Sequence, residues 1–283
     1  VTPVNGRYLA TGVNIGQPNA LGAIIAGIRP DQEVLRASSV LPQGVPAEQY
    51  LERQRRAYEE SRLVAAAAGA RAAGLDVPIS GTGVQVTGVL PDAPAYGVLR
   101  PGDVIVAVDG RPVGHIWRLQ EIVSARPAGT VFTLTVDRQG VSVRERVASA
   151  DLPRLDQGTG LGIAGQTRNL RVELPFEVSF RERPQAAGPS AGLAYATAVA
   201  DLLATEDYAR GRTIAATGTI RLDGAVGEVG GVTQKAFTAA RAGASVFVVP
   251  AEELGEARPG GPGLSVRGVE TLRQTLTLLS GRA

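Results

Sequence analysis

The sequence predicts an α+β or α/β protein in which strands alternate with helices. Three textures along the chain predict it. Residues 81–149 are short β-branched runs separated by turn signals. Residues 47–73 read as one long helix. Beyond Leu152 strand-like and helical stretches alternate. The expected organisation is therefore N-terminal strands at 1–40 that complete the domain at 151–283, and a helical insertion at 41–78. A small β-rich domain at 79–150 and an α+β domain at 151–283 follow.

Within 1–40, "GRYLATGVNI" alternates and "LGAIIAGI" is a short apolar run, so both are read as strands. Pro42, Gly44 and Pro46 break the pattern. The helix that follows ends at Gly74 and carries Glu52 and Arg56 as an i,i+4 pair of favourable polarity. Its dense charges read as a solvated face or a docking surface. In 79–150, Pro-Asp and Asp-Gly turns separate the strands, "HIWRLQEIVSARPAG" is a short helix with Ile116, Leu119, Ile122 and Val123 on one face, and a hairpin turns through Gln139-Gly140. Beyond 151, "RNLRVELPFEVSF" is strand-like, with Pro175 at an edge or bulge. "TIAATGTIRLDGAVGEVGG" reads as a hairpin turning at Asp223-Gly224. "VTQKAFTAARAG" is a helix stopped by Gly243, "SVFVVP" a buried strand and "VETLRQTLTLL" a closing helix. Residues 255–263, "GEARPGGPG", read as a mobile loop.

Composition removes whole classes of chemistry. The 283 residues contain no cysteine, so disulfides, thiolate nucleophiles and cysteine metal sites are absent together. His115 is the only histidine, which excludes a histidine-rich metal site; any acid–base work near neutral pH must proceed largely without imidazole. No basic block with interleaved aromatics points to nucleic acid, and no apolar run is long enough to span a bilayer. The chain starts at Val1 and contains no methionine, so it is expected to be a processed or truncated piece whose upstream signal or anchor is not in view.

"QAAGPSAGLAYATAVADLL" places Ser190 after Gly-Pro at the mouth of an alanine-rich helix. Pro189 suits a helix start, where its missing N–H is not needed. Gly188 makes the turn. The helix dipole and free N–H groups point at this turn and would stabilise an oxyanion, with the Ser190 N–H as a donor. Two readings stand: Ser190 caps the helix, or Ser190 is a nucleophile. A nucleophilic serine needs a base. Lys235 is the only lysine after residue 152, at the beginning of a predicted helix, where the dipole and burial would disfavour its charged form. A surface lysine on an amphipathic helix is the alternative.

Two resemblances bear on these residues. "APAYGVLRPGDVIVAVDGRPV" resembles the PDZ domains of bacterial proteases. That resemblance implies binding of extended peptides by strand addition. The groove would lie between the strand at "GVQVTGV" and the helix after His115, with Gly81, Thr82 and Gly83 offering N–H groups to a peptide carboxylate and Val84 opening the strand. The loop departs from the usual Gly-Leu-Gly-Phe pattern. His115 reads as a helix cap or a peptide contact.

"AGPSAG" followed by "TGTIRLDGAVGEVGGVTQKAFTAARAGASVFVVP" resembles the proteolytic domain of Lon proteases. That resemblance implies a Ser-Lys dyad, with Ser190 as nucleophile, Lys235 as base and Thr217, eighteen positions earlier, orienting the amine. Gly227 and Glu228 would line the substrate cleft. No Gly-x-x-x-x-Gly-Lys-Ser/Thr occurs, so the chain holds no ATPase module of that kind, and no cofactor is implied. PDZ and Lon-type segments together resemble the bacterial membrane-anchored, extracytoplasmic Lon-like proteases. This implies an anchor before Val1, polypeptide substrates and a hexameric ring. The expected function is an ATP-independent serine endopeptidase with PDZ-assisted selection. The rivals are a PDZ scaffold with a vestigial protease fold, which the intact Ser190, Thr217 and Lys235 argue against, and a non-peptide acyl hydrolase, which would leave the peptide-binding module idle.

Overall fold

The computed structural model describes residues 4–13, 15–16, 18–29, 31–35, 47–152, 159–180, 188–261 and 263–281. The expected break at Pro42, Gly44 and Pro46 lies outside these residues. The chain folds as two compact units: Val1–Val77 with Leu174–Ala283, and Pro78–Glu173.

The first unit opens with β1 (Arg7–Ala10). The apolar run expected as a second strand is instead a helix, α1 (Ala20–Ile28). A short apolar run does not distinguish the two by periodicity. The deciding feature is Asn19, whose side-chain oxygen accepts the Gly22 N–H at 2.8 Å and caps the helix. α2 (Ala47–Ala72) changes character along its length. Its early turns are exposed and hold the Arg56–Glu52 ion pair, worth little at such exposure. Its later turns bury Ala65, Ala66, Ala67 and Ala70 completely.

The second unit is an antiparallel sheet. β2 (Ile79–Ser80), β3 (Val84–Val89), β4 (Val104–Val108) and β5 (Arg111–Pro112) precede α3 (Ile116–Ser124). β6 (Val131–Arg138), β7 (Val141–Ala148), β8 (Ala150–Asp151), β9 (Thr159–Gly160), β10 (Ile163–Thr167) and β11 (Arg171–Val172) follow. The strand order is β10-β3-β4-β6-β7, with β5 on β4. Val84, Val86, Ile105, Leu119, Phe132 and Leu134 are among the residues filling one core. Asp103 is buried because Arg138 forks onto both its oxygens at 2.9 and 2.8 Å, which holds the carboxyl below its ordinary range.

The boundary expected at residue 151 is therefore corrected. Residues 159–172 pair within the β-rich unit: β10 lies on β3, with Ile163 opposite Val89, and β11 lies on β2. Only Arg171–Val172 of the strand-like run "RNLRVELPFEVSF" is a strand. Strand partners are set by edges that distant residues leave open, and local texture does not report them.

The first unit resumes with α4 (Gly192–Leu203), β12 (Thr213–Ala216), the hairpin β13 (Thr219–Ile220) and β14 (Val226–Gly227), and α5 (Val232–Arg241). It closes with β15 (Val246–Pro250), α6 (Leu254–Ala257), β16 (Ser265–Val269) and α7 (Leu272–Leu279). The sheet order is β1-β12-β15-β16, parallel throughout. Parallel pairing demands crossovers, and α5 makes the one between β12 and β15. The Tyr8 hydroxyl of β1 donates to Asp201 of α4 at 2.7 Å, and Asp201 also accepts the Tyr208 and Ala209 N–H groups.

Helix α2 belongs to this unit by packing. Its alanine face lies on α4, and Tyr58 and Tyr195 share a hydroxyl hydrogen bond at 3.0 Å. At Gly69 a Cβ would stand 2.5 Å from the Ala196 carbonyl oxygen, so the two helices approach as closely as backbone allows. The helix is thus core on one face, and its charges account only for the other. Residues 255–263, expected as a mobile loop, include the end of α6 and a 3-10 turn at Arg258–Gly260, with Ala257 and Gly260 buried against the rest of the unit. Gly-Pro composition marks the sharp turns here, and packing against α5 orders them.

Candidate active site

The segment carrying Ser190 is built as a turn locked from two sides. Gly188 adopts φ +84°, open to glycine at little cost, and Pro189 starts a 3-10 turn, Pro189–Ala191, that runs into α4. The Gly188 N–H donates to the Gln54 carbonyl of α2 at 3.1 Å. The Ser190 carbonyl accepts the Gly218 N–H at 3.0 Å and the Thr217 hydroxyl at 3.2 Å, while the Leu193 N–H donates to the Gly218 carbonyl at 3.0 Å. The backbone at 190–193 is thereby stitched to the connection between β12 and β13.

Two consequences concern the chemistry. The N-cap of α4 is Ala191, with no side-chain cap, so the Ser190 hydroxyl is not spent on capping. The Gly188 N–H is spent on Gln54, so of the two expected oxyanion groups Gly188 makes the turn and the Ser190 N–H is left for the donor role. Ser190 is half-buried.

Lys235 lies one turn into α5, whose N-cap, Gly231, is left-handed. The buried face of α5 is Val232, Lys235, Ala236 and Ala239. An amine therefore occupies a position that helix spacing assigns to an apolar side chain. Lys235 is 2% exposed, and burial pushes its pKa down to about 8, against the opposing pull of Glu253. It is also the only lysine in the whole chain: every other basic residue except His115 is arginine. No hydrogen bond joins Ser190 and Lys235 among the described residues. Their neighbours Thr217 and Glu253 lie beyond the carboxyl ends of the two inner strands of the sheet. Ser190 is bonded to Thr217, which follows β12 directly. Glu253, which acts on Lys235, follows β15 by three residues. β12 and β15 are adjacent and parallel, and the Thr217 N–H donates to the Val248 carbonyl at 3.0 Å. The carboxyl ends of parallel strands are where open α/β sheets place their sites.

Thr217 is fully buried. Its proton is committed to the Ser190 carbonyl, so its lone pairs are what remain for an amine. Gly227 pairs with Thr219 in the β13–β14 hairpin, and Glu228 beyond it is exposed. Glu253 was not marked by sequence spacing. It is 8% exposed, and both its carboxylate oxygens accept the Val229 N–H at 3.2 Å. Burial lifts its pKa to about 7, against the Val229 hydrogen bond and the charge of Lys235. The only signal in the sequence is a carboxylate just after a strongly apolar strand.

The peptide groove expected along β3 is corrected by the sheet order. β3 is paired on both sides, by β4 and β10, so Val84 is not on an open edge. The loop before it is also committed: the Thr82 N–H donates to the Arg168 carbonyl and the Gly83 N–H to the Gly114 carbonyl, while a Cβ at Gly81 would meet the Gly114 oxygen at 2.5 Å. The edge strand beside β3 is β10, and the Ile116 side chain at the start of α3 comes within 3.5 Å of a Cβ placed on its Gly165. β10 is entered through Gly160-Leu161-Gly162-Ile163, which meets the Gly-Leu-Gly-Phe pattern apart from its last residue. His115 caps α3 through Nδ1, which accepts the Arg118 N–H at 3.1 Å.

Residues 183–258 match the model of the Lon protease (S16) C-terminal proteolytic domain, and residues 85–138 match that of a PDZ domain. The chain contains a Lon-type proteolytic domain and a PDZ domain. A stretch of 62 residues is 45% identical to the magnetosome formation protease MamE of Magnetospirillum gryphiswaldense, covering 22% of this chain and 8% of that protein. The chain thus spans less than a tenth of the curated relative it matches. Among solved structures, a protein of Geobacillus thermodenitrificans is 31% identical, covering 29% of this chain and 95% of that one, with a TM-score of 0.27. The PDZ domain of the SdrC-like protein of Listeria innocua is 22% identical, covering 29% and 92%, with a TM-score of 0.28. The Lon-type match contains Ser190, Thr217, Lys235 and Glu253, and the PDZ match runs from β3 to β6. The two family models describe a proteolytic domain and a PDZ domain. No helix among the described residues is long and apolar enough to cross a membrane.

Proposed function

We propose that the chain is a serine endopeptidase that works without ATP, with Ser190 as nucleophile and Lys235 as general base. The observation that carries this reading is the buried amine of Lys235, on the core face of α5 within a Lon-type domain, with its pKa lowered to about 8. The Ser190 Oγ attacks the scissile carbonyl carbon as its proton passes to Nζ. The oxyanion is met by the Ser190 N–H. Collapse breaks the C–N bond, and the leaving amine takes the proton from Nζ, leaving an ester on Ser190. Water then attacks the ester, giving its proton to the Lys235 Nζ, and the acid departs as Nζ returns that proton to the Ser190 Oγ. Thr217 orients the amine through its lone pairs. The cleft bounded by Gly227 and Glu228 takes an extended or unfolded segment. Family resemblance supports a hexameric ring held at the extracytoplasmic face of a membrane by a segment outside these 283 residues.

A fluorophosphonate probe is expected to label wild-type protein on Ser190 and to leave Ser190→Ala unlabelled. Labelling of Ser190→Ala at the wild-type level would place the nucleophile elsewhere.

The PDZ unit is assigned to substrate selection. Its ends are one hydrogen bond apart, Glu173 N–H to the Pro78 carbonyl at 3.0 Å, so a short glycine linker can join Val77 to Leu174. Removing residues 78–173 is expected to weaken cleavage of a protein substrate at least tenfold while sparing hydrolysis of a small activated ester. Equal loss on both substrates would make the PDZ unit a structural requirement.

A further inference from the structure

Three carboxylates are buried among the described residues, and two of them are fully accounted for. Asp103 has the Arg138 fork, and Asp201 has a tyrosine hydroxyl and two N–H groups. Among the described residues Glu253 accepts the Val229 N–H alone, shared between its two oxygens, and the opposite charge that acts on it is Lys235. Burying a carboxylate behind one long hydrogen bond is unfavourable, so its position calls for a reason. The Val229 bond supplies one half of it. Val229 lies between β14 and Gly231, the N-cap of α5, so the Glu253 carboxylate anchors the turn from which Lys235 is projected. The other half is electrostatic, since Glu253 opposes the effect of burial on the Lys235 amine.

We propose that Glu253 is a positioning residue for Lys235, holding the start of α5 through the Val229 N–H and setting the pH at which the amine becomes available as a base. The proposal rests on the reading of Lys235 as that base. The other charged groups around the pair are Glu228 at the end of β14 and Glu256 in α6, both of which make Glu253 harder to ionise. Arg258 stands exposed on the 3-10 turn packed against α5. On the outer face of α5, Gln234 meets Glu33 and Arg241 pairs with Asp31. The two titrations are coupled, with Glu253 near 7 and Lys235 near 8.

A single lysine makes the test direct. Protein labelled with carbon-13 at the lysine ε position carries one such label, at residue 235. In Glu253→Gln the amide oxygen still accepts the Val229 N–H, but the charge is gone. The midpoint of the Lys235 resonance is expected to move down by about one pH unit. The midpoint of the rate on a small activated ester should move with it, in the same direction. A purely structural role would instead lower the rate at every pH and leave both midpoints in place, and that result would overturn the proposal. The wild-type protein offers a check that needs no variant: its resonance is expected to show a first inflection near pH 7 from Glu253 before its own near 8. A single inflection also counts against the coupling. Lys235→Arg separates the two readings. If it retained turnover, the base assignment would fall while the coupling seen by resonance stood. If it were inactive and Glu253→Gln left the midpoints unmoved, only the Glu253 proposal would fall.

Discussion

Lys235→Arg is expected to lose turnover by ~10²–10⁴-fold, the usual contribution of a general base. Arginine keeps a positive charge at this position but offers no neutral nitrogen at any working pH. A lysine that merely held substrate by its charge would tolerate the exchange; a lysine that accepts the Ser190 proton does not. The wild-type rate on a small ester should rise with pH through about 8, because the protonated amine is inactive and deprotonation creates the base. Thr217→Val should reduce the rate without abolishing it, since it removes both the lone pairs available to the amine and the bond to the Ser190 carbonyl. Steady-state rates on one ester and one peptide, measured from pH 6 to 10, are sufficient. Near-normal turnover by Lys235→Arg, or a flat profile across that range, would return Ser190 and Lys235 to structural roles.

Lys235→Met should make the protein more stable while it removes activity. The amine titrates near 8 in the fold and at 10.5 when free. A depression of that size corresponds to roughly 3 kcal/mol held against the folded state, at 1.36 kcal/mol per unit. Methionine has a similar reach, fills the same space on the buried face of α5 and carries no charge. Part of the gain is offset because Glu253 loses a favourable neighbour. A net increase of about 2 kcal/mol at pH 7 is expected from the denaturant midpoint. The unfolded chain binds more protons than the native one between about pH 8 and 10.5, so wild-type stability rises with pH across that window. The advantage of Lys235→Met is therefore greatest below pH 8 and fades toward 10.5. An unchanged or lower midpoint at pH 7 would mean that the amine is solvated in the native state, and the physical basis for a lysine base would go with it. A stability deficit at a working group is a common cost of catalysis.

Much of the fold was legible because it is written in local pattern. The antiparallel PDZ strands announce themselves through β-branched runs between Asp-Gly and Gln-Gly turns, and α3 through its apolar stripe and His115 cap. The helix bearing Lys235 is equally plain from spacing. Two misreadings have local causes as well. Asn19 is an N-cap signal that turns "LGAIIAGI" from strand to helix, and Gly160-Leu161-Gly162-Ile163 carries the Gly-Leu-Gly pattern that residues 80–83 lack. That loop lies beyond the point where the texture changes, yet it belongs to the β-rich unit.

The sequence by itself determined which residues are available for the proposed chemistry. With no cysteine, one histidine and one lysine, a hydrolytic serine has a single candidate amine, and Gly-Pro-Ser before an alanine-rich helix supplies the serine. Residue type and helix spacing are properties of the chain, independent of how it folds. Only the tertiary structure decided what surrounds those residues. The edge on this side of the sheet is β10 and not β3, because β3 already has two partners. The Gly188 N–H is unavailable because α2 crosses close enough to accept it. Lys235 is neutral at an accessible pH because the core around α5 excludes water, and Glu253 matters because the turn after β15 brings a carboxylate to the same place. Strand edges, desolvation and electric fields depend on groups distant in sequence, and nothing local to Ser190 or Lys235 records them.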